Sequence, residues 1–421
     1  MTQTSGYYQA TAHPAPRRPA LRGALACDVC VIGAGYTGLL AALELAERGF
    51  RVAVVEAHRV GWGASGRNGG QIVTGYSTDM SRVRRLTGAD DARLLWRMAE
   101  EAKTIVADRI ARHAIDCDLR WGYLFAAAKP RHLAGLAEMA EEWARDYGYG
   151  RATPLDRAGL AAELGGGAYF GGLKDEGGGH LHPLNYALGL ARAAEAAGVT
   201  LFEDSAALAV DTDAATLRTA QGEVRANHLI LCGNAHVGRL VPAAARRILP
   251  VATQMIATAP LGAERARRLI PSGAAVSDTN HIIDYFRLSA DGRLLFGGGA
   301  SYWSDGAGDP ARAIGKRMRR VFPELADVAI EHAWTGHVAI TANRMPWFGR
   351  VGRRLWFAHG YSGHGVLLTA IAGRLLAEAV AGTEERFDVY ARIPHAPFPG
   401  GRARAPLLAL AMAWYRLLDL L

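Results

Sequence analysis

Hydrophobic and polar positions change period along this chain, and each change marks an element. Residues 29–32 (VCVI) are an apolar, β-branched run that predicts a strand. The turn GAGYTG (33–38) follows, apolar positions then recur at helical spacing through Arg48, and a second short run, 51–55, ends at Glu56. Residues 27–56 therefore read as one strand–helix–strand unit. Helical patterns cover 82–114, where Leu94, Leu95, Met98, Ile105, Val106 and Ile110 share a stripe, and also 131–147 and about 185–197. Strands are expected near 199–203, 207–211 and 223–232. A hairpin pairs 282–288 with 293–297 around SADG (289–292), and the strand 354–358 leads through GYSGHG (360–365) into an amphipathic helix, 366–380.

This order predicts a mixed α/β and α+β molecule. A discontinuous Rossmann-like dinucleotide domain is assembled from 25–85, 165–240 and 335–395. The inserted substrate domain, 86–164 and 241–334, is built on a mixed or antiparallel sheet plus helices. A disordered arm, 1–24, precedes them, and an amphipathic tail helix, 396–421, follows.

The GAGYTG turn carries the first candidate chemistry. Gly33 permits a tight turn, Gly35 lets backbone approach a pyrophosphate, and Gly38 lets helix and strand pack closely, while Tyr36 and Thr37 open the helix with unpaired N–H groups. Glu56 stands where a carboxylate accepts hydrogen bonds from an adenosine ribose diol, with Ala57 beside it; a 2′-phosphate would be repelled there, which argues against NADP. Five glycines within 61–71 (GWGASGRNGGQ) are suited to wrap the middle of a longer dinucleotide.

Composition and charge narrow the classes. Glycine, at 50 of 421 residues, is well above the usual ~7% and has no G-X-Y period, so many positions call for unusual backbone. The net charge of +8 is scattered, and the small clusters at 82–85 and 317–320 read as solvated helix faces, so no nucleic-acid partner is expected. Four cysteines (27, 30, 117 and 232) and no secretory h-region fit a reducing, cytoplasmic setting, and Cys27 and Cys30 point to opposite faces of a strand rather than forming a metal or redox pair. No metal site is expected. No run is long enough to span a membrane; the tail 405–421 is the nearest approach and leaves peripheral contact open.

GAGYTG with Glu56, GASGRNGGQ (63–71), HLHP (180–183) and GYSGHG together resemble the D-amino-acid oxidase/glycine oxidase superfamily of FAD-dependent amine oxidoreductases. Within it, the last three motifs are most similar to the γ-glutamylputrescine oxidoreductase branch, over roughly residues 20–421 and including PFPGGR (397–402). The resemblance implies that Gly33, Gly35, Gly38 and Glu56 hold the ADP half of FAD. It places Ser65, Gly66, Arg67, Asn68, Gly69, Gly70 and Gln71 along the pyrophosphate, ribityl chain and isoalloxazine, with Gly233 flanking the cleft. Gly363, His364, Gly365 and Val366 then present a helix N-terminus to the pyrimidine edge of the flavin, where oriented N–H groups stabilise the charge of the reduced ring. His364 is a candidate donor there. No cysteine follows Cys232, so FAD is expected to be non-covalent.

Two departures bear on substrate. Glycine-oxidase-like members carry a carboxylate-clamping Arg just after W-x-G, whereas Trp334-Thr335-Gly336-His337 is followed here by Val338; sarcosine-oxidase-like members carry a Lys two residues beyond SGHG, where Leu367 stands. His337 and Arg344 are alternatives for that role. The resemblance thus implies a polyamine-catabolic oxidase or dehydrogenase of a primary or secondary amine. Hydride passes to flavin N5, the imine hydrolyses to an aldehyde and O2 becomes H2O2. The alternatives are an amino-acid oxidase or dehydrogenase feeding a quinone, and a tRNA-modifying flavoprotein. Pocket candidates are Tyr285 and Arg287 on one face of the hairpin, Trp334 and Leu367, with Arg287 reaching a distal carboxylate.

Overall fold

A computed structural model describes residues 6–301 and 309–398, together with Trp414. Three sheets organise it. The six-stranded sheet runs in the order Trp347–Val351, Leu355–His359, His228–Leu231, Val29–Ile32, Val52–Val55, Thr200–Phe202. All neighbours are parallel except the first pair. VCVI and VAVV are buried at every position because both faces are covered. Helices Tyr36–Ala46 and Gly365–Val380 cross closely on one face, where a Cβ on Gly373 would lie 2.6 Å from Leu40 Cβ.

The second, nine-stranded sheet places Ile330–Ile340, Leu249–Thr258, Leu294–Ser301, Asp284–Leu288, Ala275–Asp278, Arg120–Ala126, Gly172–His180 and Gln71–Ile72 side by side, with Ala152–Leu155 paired to Gly172–His180. One face packs on helix Pro310–Val321 through Phe286, Phe296, Ile314 and Met318. The expected hairpin forms in register, Tyr285 opposite Gly297. A small third sheet joins Gly23–Ala26, Gly222–Arg225, Thr216–Arg218 and Ala209–Asp211.

Several expectations are corrected. The 82–114 pattern is two helices, Met80–Thr87 and Ala89–Arg112, broken at Gly88 with φ 87°. The second packs chiefly against Gly365–Val380 and reaches Tyr36–Ala46 through an ion pair, Arg109 Nη2 lying 2.7 Å from Glu44 Oε1. The stretch 223–232 is two strands in different sheets. Helix Gly365–Val380 is buried on nearly all sides rather than amphipathic, since it sits between Tyr36–Ala46 and Ala89–Arg112. Gly172–His180, counted with the dinucleotide segments, belongs to the nine-stranded sheet.

The arm is not disordered from residue 6 onward. Helix Tyr7–Thr11 buries both tyrosines, whose apolar rings offset the cost of ordering it. Among the described residues no helix is long and apolar enough to cross a membrane. PFPGGR lies mostly, and the tail helix apart from Trp414, outside the described residues.

Candidate functional site

A cleft of about 400 Å³ opens at the carboxyl ends of Val29–Ile32, His228–Leu231 and Leu355–His359. Its floor is set by GAGYTG. Gly33 adopts φ 108°, and a Cβ there would meet the Cys232 carbonyl at 3.1 Å; a Cβ on Gly38 would stand 2.0 Å from the Gly33 oxygen, so Gly38 is the packing glycine and does not line the cleft. Helix Tyr36–Ala46 begins without a side-chain cap of its own. Ser65 supplies one, its hydroxyl accepting from the Tyr36 N–H at 3.0 Å.

Glu56 ends its strand with each carboxylate oxygen accepting one main-chain N–H, from Ala34 at 2.7 Å and His58 at 3.0 Å. Burial raises its pKa, and those two donors act against the rise. Each oxygen keeps further accepting capacity, and Glu56 lines the cleft. At the other end, Tyr361 OH meets Thr37 Oγ1 at 2.9 Å, joining the two glycine turns, and helix Gly365–Val380 also starts without a side-chain cap.

Of the residues expected at a cofactor, Gly33, Gly35, Tyr36, Thr37, Glu56, Ala57, Ser65, Asn68, Gly233, Gly363, Gly365 and Val366 line this cleft. Gly66, Arg67, Gly69, Gly70 and Gln71 do not. Gln71 Nε2 donates instead to the Val276 carbonyl within the nine-stranded sheet, and Arg67 Nε donates to the Trp62 carbonyl. His364 occupies the N-cap position of helix Gly365–Val380 without a capping side-chain bond, off the cleft lining, and burial of its imidazole pushes the pKa down to about 4.

The pocket candidates separate. Leu367 is fully buried in the main core and does not line the cleft. Tyr285 lies flat between Gly69 and Gly297, where Cβ atoms would approach its ring to 3.0 and 2.2 Å. Trp334 donates from Nε1 to the Arg67 carbonyl at 3.0 Å. Arg287, only 3% exposed, does not present a free fork. Its nitrogens donate to Gly69 O at 2.7 Å, Leu181 O at 2.9 Å, Leu288 O at 3.2 Å and Tyr8 Oη at 3.2 Å, which engages four of its five N–H bonds.

Several lining residues carry no signal in the sequence pattern. Trp62 stacks on His58 with centroids 3.9 Å apart, and His236 meets it edge-on at 5.3 Å, forming an aromatic lip beside Glu56. Asn234 takes φ 45° and its Oδ1 accepts from the Gly360 N–H at 3.1 Å, tying two strand ends across the cleft. Trp62 was findable as the one aromatic of the glycine segment, and Tyr361 as the aromatic of GYSGHG; His236 and Asn234 reach the cleft only through the fold.

Comparison with known proteins agrees with this geometry. The family described as FAD dependent oxidoreductase (DAO) matches residues 28–379. Over 419 residues, 99% of this chain and 98% of the relative, the sequence is 45% identical to a gamma-glutamylputrescine oxidoreductase of Escherichia coli (strain K12). It is 41% identical to a probable oxidoreductase OrdL of Haemophilus influenzae, covering 93% of this chain and 92% of that one. Glycine oxidase from Geobacillus kaustophilus superposes with a TM-score of 0.73 at 22% identity, covering 85% and 95% of the two chains, a likeness of fold. The resemblance drawn from the motifs is borne out.

Proposed function

The chain belongs to the DAO family of FAD-dependent oxidoreductases, and from that premise we propose that it oxidises a C–N bond in a primary or secondary amine of the γ-glutamylputrescine kind. The residues present fit FAD. Gly33, Gly35 and Gly233 keep side chains off the cleft floor, Glu56 offers lone pairs to a ribose diol, and two helices begin at the cleft with N–H groups suited to the pyrophosphate and to a ring carbonyl. Bound FAD supplies a two-electron acceptor for the C–H bond beside the amine nitrogen, after which the imine hydrolyses to an aldehyde and the electrons leave to O2, giving H2O2, or to another acceptor.

The observation that carries the amine reading is Val338. It lines the cleft where an arginine clamp would stand, and among the described lining residues there is no Arg or Lys. A free α-carboxylate brought there would surrender its water without a guanidinium in return. Two buried tyrosines stand beside the 69–71 segment: Tyr123 OH donates to Gln71 Oε1 at 3.5 Å, and the Tyr285 ring lies against Gly69. Apolar walls from Val338, Ala339 and Val366 favour the neutral amine, the form with the lone pair that oxidation needs. Cys232 lines the cleft, and burial pushes its thiol pKa up and disfavours the thiolate, in keeping with the expectation of non-covalent FAD.

The test is anaerobic bleaching of the bound flavin by a panel of γ-glutamyl amines, free polyamines, glycine, sarcosine and D-amino acids. γ-Glutamyl amines should bleach it and the amino acids should not; bleaching by an amino acid at an equal or greater rate overturns the reading. Acid precipitation of the same material should release all flavin into the supernatant.

A further inference from the structure

Loop 67–70 is held from behind, and the residues that hold it share one neighbour. Trp334 Nε1 donates to the Arg67 carbonyl, and Arg287 Nε to the Gly69 carbonyl. Tyr8 touches both donors: its hydroxyl accepts from Arg287 Nη2 at 3.2 Å, and its ring meets Trp334 edge-on at 5.3 Å. The ring also meets His182 edge-on at 5.0 Å. Tyr8 is 1% exposed and comes from the N-terminal helix, far in sequence from Arg287, Trp334 and His182.

Three further contacts seat that helix. Thr11 Oγ1 lies 3.1 Å from His182 Nε2, the His13 N–H donates to Asn185 Oδ1 at 2.9 Å, and Tyr7 OH bonds Asp291 Oδ1 at 2.6 Å. The front of the same loop faces the cleft through Ser65 and Asn68, and the Asn68 amide ties it together by donating to the Ala64 and Ser65 carbonyls.

We propose that helix Tyr7–Thr11 is a positioning element of the cofactor site, in which Tyr8 buttresses Arg287 and Trp334 so that their hydrogen bonds to Gly69 and Arg67 fix the loop presenting Ser65 and Asn68 to FAD. Arg287 is thus a positioning residue and not a substrate ligand. The inference rests on the FAD reading of the cleft and is independent of which amine is oxidised.

Tyr8→Phe and Tyr7→Phe make the decisive pair. Each deletes one buried hydroxyl from the same helix, but the Tyr7 hydroxyl points to Asp291 and not toward the loop. Removing a hydrogen bond to a charged group should raise the dissociation constant for FAD roughly fivefold in Tyr8→Phe and leave it within about twofold in Tyr7→Phe. The visible circular dichroism of bound flavin should change in Tyr8→Phe alone. Arg287→Lys, which cannot span three carbonyls, should exceed Tyr8→Phe in both readouts.

Equal FAD affinity and equal flavin dichroism in the two phenylalanine variants, with only thermal stability lowered, overturn the proposal. Both readouts are taken without any amine, so a panel in which no γ-glutamyl amine bleaches the flavin would sink the substrate assignment and leave this inference standing, and the reverse also holds.

Discussion

Glu56 does two jobs with one carboxylate: it closes the turn by accepting the Ala34 and His58 N–H groups, and it lines the cleft proposed to hold FAD. Glu56→Gln keeps the shape but puts an NH2 against one of those two donors. The loss of about 1–3 kcal/mol should appear as an FAD dissociation constant raised roughly tenfold or more, read by titrating apoprotein with FAD; an unchanged constant would mean the two backbone bonds do not set the site. Residues such as Glu56, Gly33 and Gly38 were legible because their work is done within one strand–helix–strand unit of fixed spacing. The partners of Arg287 were not legible, for the opposite reason. Its sequence neighbours show only that it shares a hairpin face with Tyr285, while the carbonyls it serves come from residues 69 and 181.

Among elements, a close fit occurs where Tyr36–Ala46 crosses Gly365–Val380. Gly373 lies directly over Leu40 and Ala41, and a methyl group there would meet Leu40 Cβ at 2.6 Å and the Ala41 nitrogen at 2.9 Å. Gly373→Ala should therefore destabilise the protein by about 1–3 kcal/mol despite its better helix propensity, a fall in thermal midpoint of several degrees; a raised midpoint would show that the crossing has room to spread. The extents of both helices were legible because each follows a glycine turn, GAGYTG or GYSGHG. It failed where one apolar pattern spans two elements. Gly88 interrupts a stripe that continues in phase, and the break near residue 226 is invisible because Gly222–Arg225 and His228–Leu231 are both strand-like while pairing in different sheets. Sheet membership is a tertiary fact, which also explains why Gly172–His180 was assigned to the wrong layer.

Across the whole molecule, buried neutral imidazoles link stability to pH. Burial pushes His359 and His180 down to about 3 and His182 and His395 down to about 4. In the unfolded chain such groups titrate near ~6.5, so below that pH the unfolded state binds protons that the folded state refuses. The stabilisation is fully present above ~6.5 and erodes as pH falls toward 4, by about 1.4 kcal/mol per pH unit for each such histidine. Asp278, pushed up to about 7 by burial and by Asp284, runs the other way, penalising the fold as pH rises over the same window. The imidazole contribution is isolated with His359→Phe, since His359 already stacks on Phe357 at 4.8 Å and meets Trp347 at 5.2 Å. Calorimetry should show a smaller drop in thermal midpoint between pH 7.5 and pH 5 for this variant than for the wild type; equal drops would rule His359 out as a contributor.

The strand Leu355–His359 completes the six-stranded sheet from the inside, lying between His228–Leu231 and Trp347–Val351. A ribosome delivers it after every other strand of that layer. Until it emerges, the nascent chain holds His228–Leu231 as an open, largely apolar margin, the kind of template on which neighbouring copies stack. Synthesis that stalls or terminates before this segment would then yield sticky fragments rather than a smaller working enzyme, so the protein's yield in a cell is governed at its far end, by a stretch that carries little of the recognisable chemistry.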